Sequence, residues 1–280
     1  MKIISLGVGV QSSALYYMSS RGDIDRCDYA IFSDTGGEKK RTLTYYEYLL
    51  RWMKQNNGIP LYKATYKNLL NDLLNDLLNQ VNSSGNRFAS IPAFTLNNGE
   101  KGMLRRQCTS EYKIGQVTKK IREILELPGR SKFPIIEIYQ GITVDEATRM
   151  TIPQERWKIN VYPFCGYKVY PDGNCVKIDS KIMSRNDIMN WYKENQLPIP
   201  EKSSCVFCPF QSDQNWIRLK TTEPIDFQKA CEVDKAIRDS SKKGIKSKIY
   251  LHDSLIPLSE VNFNENQGTL WGNCTDSCDV

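Results

Sequence analysis

Short apolar runs alternate with longer amphipathic stretches through the first quarter of the chain. The apolar runs at residues 3–4, 28–32 and 61–64 predict three short buried strands. Between them, residues 12–20 and 40–56 carry apolar side chains at helical spacing and predict two helices. Strands that alternate with helices in this way predict a parallel sheet whose crossover connections are right-handed.

The rest of the chain continues these patterns, with longer loops between the elements. The further predicted elements are a helix at 68–81, a hairpin or lid at 87–102, a basic helix at 114–127, a strand at 134–139, and helices at 184–195, 213–219 and 225–237. We therefore expect an α/β fold with an open, mostly parallel sheet and helices on both faces. The main domain would occupy residues 1–220, and a helical, cysteine-bearing C-terminal extension would occupy residues 221–280.

A loop rich in glycine and serine follows the first predicted strand. Gly7 and Gly9 permit a tight turn and a close approach of the backbone to a ligand. Ser12 and Ser13 supply hydroxyl groups and can cap the following helix. Free backbone N–H groups and the helix dipole point at the same spot, so the loop predicts an anion site. The residues assigned to ligand binding here are Ser5, Gly7, Gly9, Gln11, Ser12 and Ser13.

Asp34 and Thr35 come directly after the second predicted strand. Ligands bind at the carboxyl ends of the strands in an open α/β sheet, so we expect Asp34 beside the glycine loop. One interpretation of this arrangement is the dinucleotide fingerprint, Gly7-x-Gly9-x-x-Ser12. Asp34 then lies 25 positions after Gly9 (34 − 9 = 25), near the acidic position of that fingerprint.

A second interpretation is the pyrophosphate-binding loop, or PP-loop, of ATP-pyrophosphatases. Its usual sequence, Ser-Gly-Gly-x-Asp-Ser, resembles residues 7–12 in register, with departures at Gly7, Val8 and Gln11. A glycine turn that binds no ligand is the structural alternative, because short motif matches carry a false-positive risk. The loop alone leaves these interpretations open.

Composition narrows the class of protein. A chain of 280 residues with 40% hydrophobic and 25% charged residues predicts a packed core rather than disorder. No apolar run approaches the length of a membrane span, and the chain begins on a strand pattern rather than a signal peptide, so we expect a cytoplasmic protein without a membrane partner. The net charge of +6 suits a phosphate-rich ligand or a nucleic acid.

The nine cysteines indicate metal or redox chemistry rather than a disulfide framework in a cytoplasmic protein. Cys205-x-x-Cys208 offers two thiolates at one corner of a site, and Cys108 lies in a dense cluster of basic residues that favour the thiolate. Thiolates bind zinc or iron–sulfur clusters, and four ligands close either site. The predicted ligands are Cys108, Cys205 and Cys208, with Cys274 or Cys278 as the fourth.

Two acids and an arginine follow the strand predicted at 134–139. Asp145, Glu146 and Arg149 would lie at the ligand side of the sheet and are candidate catalytic residues. The alternative for each of them is a structural ion pair, because ion-pair networks also occur outside active sites.

The motifs are individually weak, but their order along the chain is specific. That order is a glycine–serine loop, Asp34-Thr35-Gly36, Gly141-Ile142-x-x-Asp145-Glu146-x-x-Arg149, Tyr162-Pro163, a Ser-Arg-x-Asp-Ile helix start at 184–188, and Cys205-x-x-Cys208-Pro209. Across about residues 2–220 it resembles the phosphoadenosine phosphosulfate reductase-like branch of the PP-loop superfamily. This resemblance favours the PP-loop over the dinucleotide fingerprint and makes the main domain a PP-loop nucleotide-binding domain.

The resemblance implies roles for these residues. The loop at 7–13 would hold the phosphates of ATP or an adenylyl group, and Asp34 and Thr35 would lie near the ribose or a magnesium ion. Asp145, Glu146 and Arg149 would face the same cleft. Some members of the branch bind a [4Fe–4S] cluster through a cysteine after the first half and a Cys-x-x-Cys, so the resemblance implies a cluster at the cysteines, with zinc as the alternative.

The expected function is ATP-dependent adenylation of a substrate with release of pyrophosphate, followed by sulfur transfer to a nucleic acid or a small molecule. A sulfur-donor protein would be a partner. Sulfonucleotide reduction is one alternative, although the tail at 273–278 does not match the Glu-Cys-Gly motif of the sulfate reductases. A non-catalytic sensor of adenine nucleotide or nucleic acid is the other, and the departures at Val8 and Gln11 keep it open.

Overall fold

A seven-stranded sheet forms the centre of the protein, with strand order β3-β2-β1-β6-β7-β8-β9. The computed structural model describes residues 1–75, 91–97, 99–239 and 247–263. Strands are numbered in chain order, and those of this sheet are β1 (Lys2–Leu6), β2 (Tyr29–Ser33), β3 (Leu61–Ala64), β6 (Ile136–Tyr139), β7 (Lys158–Tyr162), β8 (Tyr167–Val169) and β9 (Cys175–Lys177). Five neighbouring strands pair in parallel, in the order β3-β2-β1-β6-β7, and β8 and β9 extend the sheet as antiparallel strands. The predicted α/β fold with a mostly parallel sheet is confirmed.

The chain changes direction across the sheet at β1. It builds outward from β1 to β2 and β3, and later returns to the other side of β1 with β6 and β7. The carboxyl ends of β1 and β6 are therefore neighbours, although the two strands are far apart in sequence. In open α/β sheets such a topological switch point is where ligands bind.

Helices cover both faces of the sheet, because successive strand residues point to opposite sides. Ile4 joins a hydrophobic cluster with helices α1, α2 and α5, whereas Ile3 joins a separate cluster with α4. The helices are α1 (Val10–Arg21), α2 (Lys40–Gln55), α3 (Leu69–Asn75), α4 (Gly115–Ile124), α5 (Arg185–Glu194), α6 (Asp213–Thr222) and α7 (Pro224–Ile237). The helix predicted at 68–81 is present as α3, and its predicted part beyond residue 75 lies outside the described residues.

Local signals explain where several helices begin. Ser184 caps α5, because its Oγ accepts a hydrogen bond from Asp187 N–H (3.2 Å) while Asp187 Oδ2 accepts one from Ser184 N–H (2.8 Å). The first helix begins at Val10 rather than Ser12, since the extended backbone of Gly9 already accepts the helical bond from Ser13 N–H (3.0 Å). A π-helix, Thr109–Ile114, precedes α4, whereas the sequence predicted a helix only from about residue 114.

A second, three-stranded sheet joins distant parts of the chain. Of the hairpin or lid predicted at 87–102, residues 87–90 lie outside the described residues, and the rest contains the antiparallel strands β4 (Phe94–Asn97) and β5 (Glu100–Met103). Strand β4 also pairs with β10 (Lys248–Tyr250). The hydrophobic cluster beneath this sheet draws on residues from Leu69 to Phe263. The domain boundary at residue 220 stays a prediction, and residues on both sides of it contribute to this one cluster. In the part of the chain that the structure describes, no helix combines the length and the apolar character that a membrane span needs.

Candidate nucleotide site

The glycine loop lies between the carboxyl end of β1 and the start of α1. Val8 has a left-handed backbone conformation (φ 60°), which is unusual for a β-branched residue and strained. Gly9 is extended and precedes the helix, and its N–H donates to Ser12 Oγ (3.2 Å). The loop thus brings the first backbone N–H groups of α1 to the switch point, as an anion site requires.

The loop after β6 packs directly against this helix start. A Cβ atom at Gly141 would lie 2.7 Å from Ser12 N and 2.8 Å from the carbonyl carbon of Gln11. Only a residue without a side chain permits two backbones to approach so closely. Gly141 therefore fixes the distance between the two loops that frame the switch point.

Several polar side chains around these loops are buried without a hydrogen-bond partner among the described residues. Gln11 is 1% exposed, and neither its amide nitrogen nor its oxygen is paired. The hydroxyls of Thr143 and Ser204 are also buried and have no hydrogen-bond partner among the described residues. An unpaired buried polar group costs about 1–3 kcal/mol, so a polar ligand or water that pairs with these groups would stabilise the protein. The remaining predicted loop residues are the half-buried Ser5 in β1 and the buried Ser12 and Ser13 in α1.

Asp34 and Thr35 follow β2 and already have protein partners. Asp34 Oδ2 lies 2.6 Å from Lys63 Nζ, and Asp34 Oδ1 accepts a hydrogen bond from Gly36 N–H (2.8 Å). Thr35 Oγ1 donates to Glu38 Oε1 (2.9 Å) and lies 3.3 Å from Cys205 Sγ. Thr35 thus connects the loop after β2 to the cysteine motif.

Cys205 is half-buried and contacts the buried side chains of Thr35 and Glu38. Burial raises the pKa of the Cys205 thiol, the nearby Glu38 carboxyl adds to that shift, and Lys113 opposes it. Burial also raises the pKa of Glu38, again against the influence of Lys113. Burial thus favours the neutral form of both groups, whereas metal coordination deprotonates a thiol.

The predicted metal ligands are only partly brought together. Cys108 and Cys205 pack against the same hydrophobic cluster, and Cys208 N–H donates to Cys205 O (3.1 Å) in a tight turn. Over the described ranges, no group of three or more His, Cys, Asp or Glu side chains has the geometry to hold a metal ion. Cys274 and Cys278 lie outside the described residues. The cysteine metal site stays a prediction.

Asp145, Glu146 and Arg149 occupy a short 3₁₀-helix, Val144–Arg149, after β6. Arg149 Nη1 donates to Glu146 Oε2 (2.6 Å), which is the local ion pair that the sequence left open. Asp145 is exposed, and its Oδ1 accepts a hydrogen bond from Arg185 N–H (3.1 Å) at the start of α5. Their catalytic role stays a prediction.

Sequence reasoning missed two contributors to this region, Glu38 and the pair Ser203-Ser204. Glu38 follows the Asp34-Thr35-Gly36 motif but was not assigned a role, and its buried carboxyl contacts Thr35 and Cys205. Ser203 Oγ lies 3.7 Å from the Cβ position of Gly7. Two adjacent serines directly before the cysteine motif were the available signal.

Comparisons with known proteins add no relative: no family model matches the chain, and no curated protein matches it significantly. The candidate site is therefore defined by its own residues and contacts. Its best-defined features are the glycine loop at the switch point, the close approach of Gly141, and the unpaired amide of Gln11.

The close approach of Gly141 yields a stability prediction. In Gly141→Ala the new Cβ would overlap the backbone of residues 11 and 12, so we expect a loss of about 1–3 kcal/mol in the free energy of unfolding. Urea denaturation followed by circular dichroism measures it. The control is Gly129→Ala, where no atom of the described residues beyond its chain neighbours lies within 4 Å of the added Cβ. Equal stability of the two variants would contradict this packing.

The cysteine prediction concerns bound metal. Protein purified without oxygen should be brown and contain about four irons per chain. Cys205→Ser should abolish the colour, whereas Cys175→Ser should retain it, because Cys175 is exposed on β9 and is not a predicted ligand. Colourless protein with about one zinc per chain would mean that the predicted cysteines bind zinc rather than an iron–sulfur cluster. Protein with neither metal would show that the assignment is wrong.

Proposed function

We propose that this protein is an ATP-dependent enzyme of the PP-loop type, which adenylates an acceptor with release of pyrophosphate and then transfers sulfur to it. The observation that carries the proposal is the glycine loop at the β1–β6 switch point, where the buried amide of Gln11 has no partner among the described residues. A helix start favours phosphate, because its first N–H groups have no partner within the helix. A ligand that pairs with Gln11 would also remove a cost to stability.

The nucleotide phosphates would bind against residues 7–13. The backbone N–H groups at the start of α1 and the side-chain amide of Gln11 would donate hydrogen bonds to phosphate oxygens, and the helix dipole would favour their negative charge. Gly141 would hold the loop after β6 against this helix start. The chain's own contribution is thus a site formed by backbone groups and neutral side chains.

The chemical steps follow from this binding mode. An acceptor oxygen would attack the α-phosphorus of ATP. The bond between the α-phosphorus and the oxygen that bridges to the β-phosphorus would break, and pyrophosphate would leave. A sulfur nucleophile would then attack the activated carbon of the acceptor, and AMP would leave with the oxygen. A bound magnesium ion would neutralise phosphate charge, and Asp34 could contribute a carboxylate oxygen only if its pair with Lys63 were shared or exchanged.

The cysteines suit the sulfur half of this reaction. The Cys205 thiol contacts the Thr35 hydroxyl (Sγ–Oγ1 3.3 Å), so the cysteine motif and the loop after β2 lie in the same region. The donor set of Cys108, Cys205 and Cys208 suits an iron–sulfur cluster or zinc by its chemistry. Such a group would supply sulfur handling or structural support when bound. The acceptor is a nucleic acid or a small molecule, and the sulfur donor is a partner protein.

A nucleotide sensor without catalysis is the second candidate. Glu146 and Arg149 are paired with each other, and Asp145 binds the backbone of α5, as structural residues would. In a sensor, ATP would bind but no pyrophosphate would be released with any acceptor. Pyrophosphate release with candidate nucleic acids therefore separates the two functions.

The central binding prediction is tested at Gly9. In Gly9→Val a branched side chain would occupy the space that a phosphate needs beside α1, so we expect at least a tenfold loss of affinity for ATP and for AMP. Isothermal titration calorimetry measures it, and the control is Gly129→Val, at a position with open space around it among the described residues. Unchanged affinity in a folded Gly9→Val protein would overturn nucleotide binding at this loop.

A further inference from the structure

One short segment, residues 203–207, contacts both loops of the candidate site. Ser203 Oγ lies 3.7 Å from the Cβ position of Gly7 in the glycine loop. Two residues on, Cys205 pairs with Glu38 in an antiparallel bridge, and Val206 N–H donates to Gly37 O (2.8 Å). The segment therefore crosses the carboxyl ends of β1 and β2 and contacts the loop that follows each strand.

The packing of this segment leaves little freedom of position. A Cβ atom at Gly37 would lie 2.5 Å from the ring of Phe207, so the ring is seated directly on the glycine backbone. Phe207 and Val206 are almost completely buried in the second hydrophobic cluster. The segment is thus held at one end by apolar packing, while its other end meets the glycine loop.

Ser204 lies between these two anchors and has an unexplained hydroxyl. The residue is 3% exposed, and its Oγ has no hydrogen-bond partner among the described residues. Buried hydroxyls are normally paired, because an unpaired one loses its hydrogen bonds to water without replacement. Neighbouring backbone is firmly paired through Val206, so the hydroxyl of Ser204 is an exception within an otherwise satisfied segment.

We propose that Ser204 is a ligand-binding residue, whose hydroxyl donates a hydrogen bond to a phosphate oxygen of the nucleotide bound at the glycine loop. This inference rests on the proposed nucleotide-binding function and adds the segment at 203–207 to the residues that bind the nucleotide. The ligand chemistry is that of a polyphosphate, which ATP and inorganic pyrophosphate share. The segment that carries Cys205 then also contacts the nucleotide.

A small movement must accompany this contact, because Ser204 Oγ is shielded from solvent in the free protein. The glycine loop has a source of free energy for such a movement. Val8 is held in a left-handed conformation, which is strained for a β-branched residue. A shift of the loop that relieved this strain would offset part of the cost of exposing the Ser204 hydroxyl to the ligand.

Ser204→Ala tests the proposal through two opposite effects. Removing an unpaired buried hydroxyl should raise the melting temperature of the free protein by about 2–4 °C. The same change should weaken ATP and inorganic pyrophosphate binding about tenfold or more, because a hydrogen bond to a charged oxygen is lost. Calorimetric titration and thermal denaturation of the full chain measure both effects, and adenosine, which has no phosphate, should be unaffected.

Ser19→Ala is the matched control. Ser19 is equally buried, but its hydroxyl donates to Asp25 O (2.7 Å) and accepts from Cys27 N–H (2.9 Å), far along α1 from the loop. This variant should lower the melting temperature and leave the affinities unchanged.

The outcomes separate the inference from the function on which it rests. If the wild-type protein binds ATP and pyrophosphate but Ser204→Ala binds them equally well, Ser204 is not a ligand-binding residue and the nucleotide site stands. A lower melting temperature with unchanged affinity would mean that the hydroxyl holds a structural water, which also overturns the inference. If the wild-type protein binds neither ligand, the proposed function fails and the inference fails with it.

Discussion

The approach of Gly141 to the backbone of Gln11 and Ser12 is the contact on which the geometry of the candidate site depends. It joins the loop after β6 to the loop after β1, the two strands between which the chain reverses its direction across the sheet. A side chain at this position would force the loops apart, because a Cβ atom there would lie 2.7 Å from a backbone nitrogen. The start of α1 therefore faces the switch point only because one residue of the opposing loop has no side chain.

The second constraint is the segment at 203–207, which contacts both the main sheet and the hydrophobic cluster under the three-stranded sheet. Phe207 belongs to the hydrophobic cluster under the three-stranded sheet, while Cys205 and Val206 pair with the loop after β2 of the main sheet. Any movement of this segment changes the surroundings of Thr35, Glu38 and the Cys205 thiol together. In the proposed enzyme, this connection would place the sulfur chemistry beside the nucleotide rather than in a separate domain.

Much of the fold could be predicted from the sequence, since β1, β2 and β3 with α1 and α2 follow directly from the alternation of apolar and amphipathic stretches. The order β2-β1-β6 could not be read from local pattern, because it depends on long-range pairing. For the site, the position of the glycine loop was predictable, but the engagement of Asp34 by Lys63 was not. Burial of Glu38 and Ser204 was also hidden, since both are polar residues whose burial depends on tertiary packing.

The most direct test of the central claim is a crystal structure of the protein with α,β-methylene-ATP, an analogue whose α–β phosphate link resists cleavage. The account predicts that the phosphates lie at the β1–β6 switch point, within hydrogen-bond distance of the backbone N–H groups at the start of α1 and of the Gln11 amide. Phosphates bound elsewhere on the protein, with the Gln11 amide still unpaired, would contradict it.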